Sequence, residues 1–180
     1  AVGLGAQHFR PVVEFQFEGF MYPAVDQLVC HAGRLRNRTR GRLSCPIVLR
    51  APYGGGIKAP EHHSESPEAY YAHIPGIRVV IPSSPRTAYG LLLAAIRDPD
   101  PVVFLEPKRI YRAPKEPIED DGEALPLDRC FVVREGGDLT LVSWGALLGE
   151  TLEAAGLLMA MQAGVQPAAV RRPLKATIVK

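Results

Sequence analysis

The densest cluster of titratable side chains is Glu61-His62-His63-Ser64-Glu65-Ser66, a few residues past the glycine triplet Gly54-Gly55-Gly56. A histidine on a loop at the end of a strand can give or take a proton near neutral pH, so acid or base catalysis is the chemistry this run could do. It suits a metal poorly, because the order is not His-Glu-x-x-His and adjacent histidines on an extended segment point to opposite sides. The same residues also read as the start of a helix through Glu68, Ala69 and Tyr70, with Ser66 as N-cap and Pro67 at the first position. The two readings are compatible. The loop Tyr53-Gly54-Gly55-Gly56-Ile57-Lys58 lacks the Gly-Lys-Ser/Thr and following helix of a phosphate cradle, and reads as a turn that permits close backbone approach. Arg34, Arg36, Arg38, Arg40 and Arg42 alternate without interleaved aromatic residues, which fits cations at a helix C-terminus better than a nucleic-acid surface. Asp98-Pro99-Asp100-Pro101 could hold a hard cation or simply stop a helix. There is no Gly-x-Gly-x-x-Gly after a strand and no Gly-x-Ser-x-Gly.

Composition narrows the classes further. The 180 residues are 47% hydrophobic and 22% charged, enough for a buried core and too apolar for disorder. With 21 basic and 19 acidic side chains the formal charge is +2, which points to neither nucleic acid nor an anionic membrane. Cys30, Cys45 and Cys130 are odd in number and widely spaced, as expected of structural thiols in a reducing cytosol or organelle matrix. No apolar run approaches a membrane span, and no export signal opens the chain. Because it begins on Ala1 within a Gly/Ala stretch, we expect a segment cut at both ends.

The elements that must position the histidines follow from hydrophobic period. Strands are expected at Val12–Phe17, Pro46–Ala51, Arg78–Ile81 and Val102–Leu105. They alternate with a helix from Pro23 carrying Val25, Leu28, Val29, Ala32 and Leu35, and another over Pro85–Arg97. This is the pattern of a parallel α/β sheet, in which ligands sit at the carboxyl ends of the strands. From Tyr111 to Leu127 proline and acidic residues suggest a linker. A second unit should then bring strands near Phe131–Val133 and Leu139–Val142 and a helix with Leu148, Leu152, Ala155 and Met159, after which the pattern fades.

Taken in order, several motifs resemble one family: the beta subunit of the thiamine-diphosphate-dependent, decarboxylating component of 2-oxo acid dehydrogenase complexes. They are Arg10-Pro11-Val12-Val13-Glu14-Phe15-Gln16-Phe17, Arg50-Ala51-Pro52-Tyr53-Gly54-Gly55-Gly56, His63-Ser64-Glu65-Ser66-Pro67-Glu68-Ala69-Tyr70, Ala72-His73-Ile74-Pro75-Gly76, Val79-Val80-Ile81-Pro82, Gly90 to Asp98, and Phe104-Leu105-Glu106-Pro107-Lys108-Arg109. Coverage runs from Ala1 to about Met159. The histidine run looks most like branched-chain 2-oxoacid dehydrogenase subunits, with the pyruvate enzymes close relatives.

The resemblance implies a thiamine-diphosphate-binding, pyrimidine-domain parallel sheet with helices on both faces over residues 1–120. A linker and the start of a transketolase C-terminal-like α/β domain would occupy 121–180. It implies oxidative decarboxylation of a branched-chain 2-oxo acid or pyruvate with acyl transfer to lipoamide. Gln16 and Phe20 would line the pyrimidine pocket, and His63 would be the active-site histidine near the thiazolium carbon, supported by His62. Magnesium would be held mainly by an alpha subunit in an alpha–beta heterotetramer, which would serve a lipoyl acyltransferase core. A potassium site would fall at Cys45, Ile47, Val48, Ala95, Asp98 and Asp100. The expected location is bacterial cytoplasm, or the mitochondrial matrix in a eukaryote. In the family, a glutamate that activates the pyrimidine ring lies, by alignment, shortly before Ala1, so the segment alone is expected to be inactive. Gln166 to Lys180 does not carry the expected Asp-Leu-Arg-Thr-Leu type of motif, and apolar residues such as Leu148, Leu152 and Met159 should be poorly covered. The alternatives are a related transketolase-type thiamine enzyme and a non-catalytic module that binds an alpha subunit.

Overall fold

In the computed structural model, described over residues 1–162 and as strand backbone at 177–179, the chain forms two compact units, Ala1–Leu127 and Asp128–Lys180. The first is built on four strands, β1 (Val12–Glu14), β2 (Val48–Tyr53), β3 (Arg78–Val80) and β4 (Val102–Pro107). They lie in the order β1-β2-β4-β3 with every neighbouring pair parallel. Val48 sits beside both Val12 and Val102, and Val79 beside Val103. The central strands are covered on both faces where they begin, so they open on continuous apolar runs, Val48-Leu49 and Val102 to Leu105, before the paired Arg50 and Glu106. Val48, Leu49, Ala51, Val102, Val103, Phe104 and Leu105 are each at most 5% exposed. The second strand runs two residues beyond the expected Ala51, and the fourth continues to Pro107. The first stops at Glu14, three residues early, because Gln16 and Phe17 bend and a 3-10 turn begins at Glu18.

The helical segments carry the expected apolar faces with an unexpected pitch. The stretch predicted as one helix from Pro23 is a 3-10 helix over Glu18–Ala24, a π-helical turn over Gln27–Ala32 and the short α2 (Leu35–Arg38), following the N-terminal α1 (Val2–Ala6). Pro23 inside the first piece removes a backbone donor. Met21, Leu28 and Ala32 still reach the core with Tyr53 and Tyr71. The arginines after it behave as cations at a helix end: Arg38 donates to the Cys30 carbonyl at 2.9 Å, and Arg36 pairs with Asp100 at 2.7 Å. The long α4 (Pro85–Arg97) matches expectation. Ser84 accepts from the Thr87 amide while the Thr87 side chain caps the Ser84 amide, Pro85 fills the first turn, and Asp98, held extended before Pro99, ends it. In α3 (Glu68–Ala72) the N-cap is Pro67 rather than Ser66, and no side chain caps it. The preceding Glu65 carbonyl instead accepts from the Gly54 amide at 2.7 Å, tying that segment to the glycine loop.

In the second unit β5 (Thr140–Val142) pairs in parallel with β6 (Thr177–Val179), and α5 spans Leu148–Gln162. The expected strand at Phe131–Val133 does not form; Val132 makes a single bridge and is exposed, as is Val133. The motif reading of Gln166–Lys180 lies, apart from the β6 backbone, outside the described residues. No described helix is long and apolar enough to cross a membrane.

Candidate active site

Because the sheet of the first unit is parallel, all four carboxyl ends open on one edge, and the residues singled out for chemistry converge there. Phe17, Glu18 and Phe20 follow β1, Gly54–Gly56 follow β2, Lys108 follows β4, and the 54–67 loop carries His63 back over the edge. The His63 ring lies 4.5 Å from the centroid of Phe17 and 5.5 Å from that of Phe20. Phe20 also faces His62 at 6.0 Å. The half-buried His63 is held by its own loop, with Nδ1 against the Glu61 carbonyl at 2.5 Å. Gln16 and Phe20 are both exposed on this edge.

Gly19 makes this approach possible. Its amide donates to the His62 carbonyl at 3.2 Å, and a Cβ there would strike the His62 backbone. Only glycine leaves room. Gly54 and Gly56 have φ of 80° and 114°, and the Arg109 side chain crosses where a Cβ of Gly56 would stand. Gly56 therefore serves close packing, and Gly54 serves the positive φ of the turn. In the 54–67 loop Lys58, Glu61 and His62 also have positive φ (54°, 38° and 55°), a conformation that side-chain-bearing residues adopt at a cost.

Beneath this surface lies a charged layer that the motif reading missed. Glu18 is 1% exposed and accepts a 3.0 Å hydrogen bond from the Tyr71 hydroxyl, while its Oε2 is buried with no partner. Burial pushes its pKa up to about 7, the nearby Glu65 and Glu68 add to this, and the Tyr71 bond and Lys108 oppose it. Lys108 is 7% exposed, and burial pulls its pKa down while Glu18 supports the charge. Its Nζ donates to the His63 carbonyl and lies 5.1 Å from the Phe17 ring centroid. Tyr22 donates to Glu65 at 3.2 Å and is pushed up to about 12, chiefly by desolvation. Lys108 directly follows β4, but Glu18 stands four residues past β1, and no local pattern joins the two.

The residues of the implied potassium site are placed elsewhere. Cys45, Ile47 and Val48 lie at the amino end of β2, and Ala95, Asp98 and Asp100 at the end of α4 and the turn before β4, on the sheet edge away from His63. The Cys45 and Ile47 carbonyls accept from the Ile47 and Val102 amides. Asp98 pairs with Arg78 at 3.0 Å and Asp100 with Arg36. Among the described residues no group of three or more His, Cys, Asp or Glu could hold a metal.

The parallel sheet thus gathers aromatic rings, an amide and a histidine at its carboxyl edge. Residues 1–114 match the family described as transketolase, pyrimidine binding domain, and the chain belongs to that family. It is 51% identical over 160 residues to the pyruvate dehydrogenase E1 component subunit beta of Acholeplasma laidlawii, a match covering 89% of this chain and 49% of that one. It is 49% identical over 148 residues to the mitochondrial 2-oxoisovalerate dehydrogenase subunit beta 2 of Arabidopsis thaliana (82% and 41%), and 46% identical over 156 residues to the Bacillus subtilis 2-oxoisovalerate dehydrogenase subunit beta (86% and 48%). The chain thus spans about half the length of the curated relatives it matches. Among solved structures, a split-gene transketolase described as an inactive beta4 tetramer superposes with a TM-score of 0.70 at 19% identity, over 99% of this chain and 50% of that one. That likeness concerns the fold.

Proposed function

We propose that this chain is the pyrimidine-binding part of a thiamine-diphosphate-dependent 2-oxo acid dehydrogenase beta subunit, acting on pyruvate or a branched-chain 2-oxo acid. The observation that carries this reading is the meeting of His63 with the Phe17 and Phe20 rings on the carboxyl edge of the sheet. The donor set fits a flat, nitrogen-rich ring: Phe20 offers an exposed aromatic face, Gln16 an exposed amide, and Gly19 lets the histidine loop approach at His62. Thiamine diphosphate would supply a carbon nucleophile that decarboxylates a 2-oxo acid and retains its acyl group.

The protein's own residues orient and protonate. Phe20 and Gln16 would fix the pyrimidine ring, and the backbone bonds around His63 would hold its imidazole where the substrate reacts. His63 would move a proton during decarboxylation or acyl transfer, and His62 would support it. An alpha subunit would complete the site, hold the diphosphate through magnesium and form a heterotetramer, and a lipoyl acyltransferase core would receive the acyl group. A potassium ion at the opposite sheet edge would rest on the second lone pairs of backbone carbonyls, because arginines already engage Asp98 and Asp100. Bacterial and mitochondrial relatives support a bacterial cytoplasm or a mitochondrial matrix as the location.

The test is to assemble the protein, within a full-length beta subunit that restores the glutamate expected before Ala1, with an alpha-type subunit and measure carbon dioxide release from pyruvate and from 3-methyl-2-oxobutanoate, with and without thiamine diphosphate. Release that depends on the cofactor, and falls roughly a hundredfold or more in His63→Ala, is expected. No release from either acid, together with no calorimetric binding of thiamine diphosphate, would sink the reading.

A further inference from the structure

Among the described residues, Lys108 is the one buried cation, and its side chain is committed to the histidine loop. It leaves the end of β4 at Pro107, passes 5.1 Å from the centroid of the Phe17 ring and donates from Nζ to the main-chain carbonyl of His63. The loop it grips needs holding. Lys58, Glu61 and His62 stand in the left-handed region, and such backbone persists only where surrounding contacts over-determine it. Those contacts arrive from three sides: the Gly19 amide on the His62 carbonyl, the Gly54 amide on the Glu65 carbonyl, and Lys108 on His63 itself. The first two are backbone bonds on either side of the histidine. The third fixes the peptide plane that follows His63, and with it the direction in which its imidazole leaves the chain.

The charge matters as much as the reach. An ammonium donating to a carbonyl makes a stronger bond than a neutral donor, and the faces available to Lys108 favour a cation: the Phe17 ring on one side and the Glu18 carboxyl, whose negative charge supports it, nearby. Phe17 touches both partners, since its ring also packs at 4.5 Å from His63. Lysine, phenylalanine and histidine thus form one cluster, the two rings tilted at 59°, with the lysine bonded to the backbone of the group it supports.

We infer that Lys108 is a positioning residue for His63, holding the histidine loop by a charge-assisted bond to the His63 carbonyl and by its seat against the Phe17 ring. This rests on the proposed role of His63, and the test separates the two. In the full-length beta subunit assembled with an alpha-type subunit, Lys108→Met should raise amide exchange across residues 58–66 roughly tenfold or more, while β2 and β4 keep their protection. With pyruvate as the probe, kcat should fall roughly ten- to hundredfold with KM changed less than about twofold, as misplacement of a reacting group requires. Lys108→Arg, which keeps the charge, should recover most of the exchange protection. Phe17→Leu should loosen the same segment by about threefold, which keeps the inference testable if Lys108→Met does not fold. Unchanged exchange in 58–66 would overturn it, and so would a rise spread equally over β2 and β4. If Lys108→Met loosens the loop while His63→Ala turns over normally, the role of His63 fails and the hold of Lys108 stands. If His63→Ala is inactive and Lys108→Met leaves the loop unchanged, only the inference fails.

Discussion

The two units of the chain solve the problem of apolar surface differently. In residues 1–127 the central strands are enclosed, and Val102, Val103 and Leu105 have no exposure at all. In residues 128–162 the described apolar side chains mostly face outward: Leu139, Val142, Trp144, Leu147, Leu158, Met159 and Met161 are all between 45% and 62% exposed, and Ala155 is the buried one. The cause lies in sheet size. Four parallel strands can carry helices and long loops across a core, whereas the described residues of the second unit offer a pair of strands and one helix, too little surface to cover themselves. The first unit therefore has a rigid base on which to hold strained loops, and the candidate site sits there. In the second, so many exposed apolar side chains are of the kind that marks a partner or an aggregation hazard.

The largest effect that would sharpen this contrast is Leu105→Ala. The side chain is fully buried in a central strand, so truncation should destabilise the first unit by about 2–5 kcal/mol in a urea or thermal melt. A loss below about 1 kcal/mol would mean that this core is looser than its burial implies.

Next comes Glu18. Its folded pKa of about 7 stands above the ordinary 4.5, so between those values the folded state binds more protons than the unfolded one. Stability is then greatest below about pH 4.5 as far as this group is concerned, and declines as pH rises to 7, by about 3 kcal/mol in all. Glu18→Gln keeps the shape and an oxygen for the Tyr71 hydroxyl but carries no charge. It should match the parent near pH 4.5 and exceed it at pH 8, and a pair of melts at those pH values checks this. An equal shift at both would show that Glu18 is not neutral when buried. Above about pH 7, where Glu18 ionises, the variant also lacks the negative charge beside Lys108, so a gain in stability joined to a looser 58–66 loop is the expected trade there.

How far these features could be read from sequence differs between the same two regions. The strands at β2 and β4 were legible because burial on both faces writes the apolar runs with which they open, and α4 because Ser84, Pro85 and Thr87 cap it with local chemistry. His63, Gln16 and Phe20 were found through motif resemblance, and the parallel sheet explains why they share an edge. The broken helix over 18–38 was not legible, since the periodicity of Val25, Leu28, Ala32 and Leu35 is similar in 3-10, α and π pieces joined end to end. Nor was the Glu18–Lys108 layer, whose members come from strands joined only by tertiary packing. The missing strand at Phe131–Val133 shows the limit on the other side: a β-branched run pairs only when a neighbour is there to take its hydrogen bonds.

A third test addresses the close approach of the two loops. Gly19→Ala would place a methyl group against the His62 backbone, where neither side is a flexible side-chain end. The adjustment should cost about 1–3 kcal/mol, and it should appear as faster exchange in 58–66 rather than in the strands. Unaltered exchange there would mean that the His62 carbonyl can part from Gly19 without loosening the loop.

The smallest expected effect falls in the second unit and bears most directly on the contrast. Met159 is 51% exposed on α5, next to Leu158 at 47%, so neither contributes much burial to lose. Replacing both with lysine should change the melting free energy of the chain by less than about 0.5 kcal/mol, since exposed helical positions tolerate strong helix formers. It should, however, raise the protein concentration at which light scattering first shows association, because charges interrupt the apolar surface. If the double variant instead melted as a core mutant does, by several kcal/mol, these side chains would be packed in solution, and the second unit would have to be regarded as covered like the first.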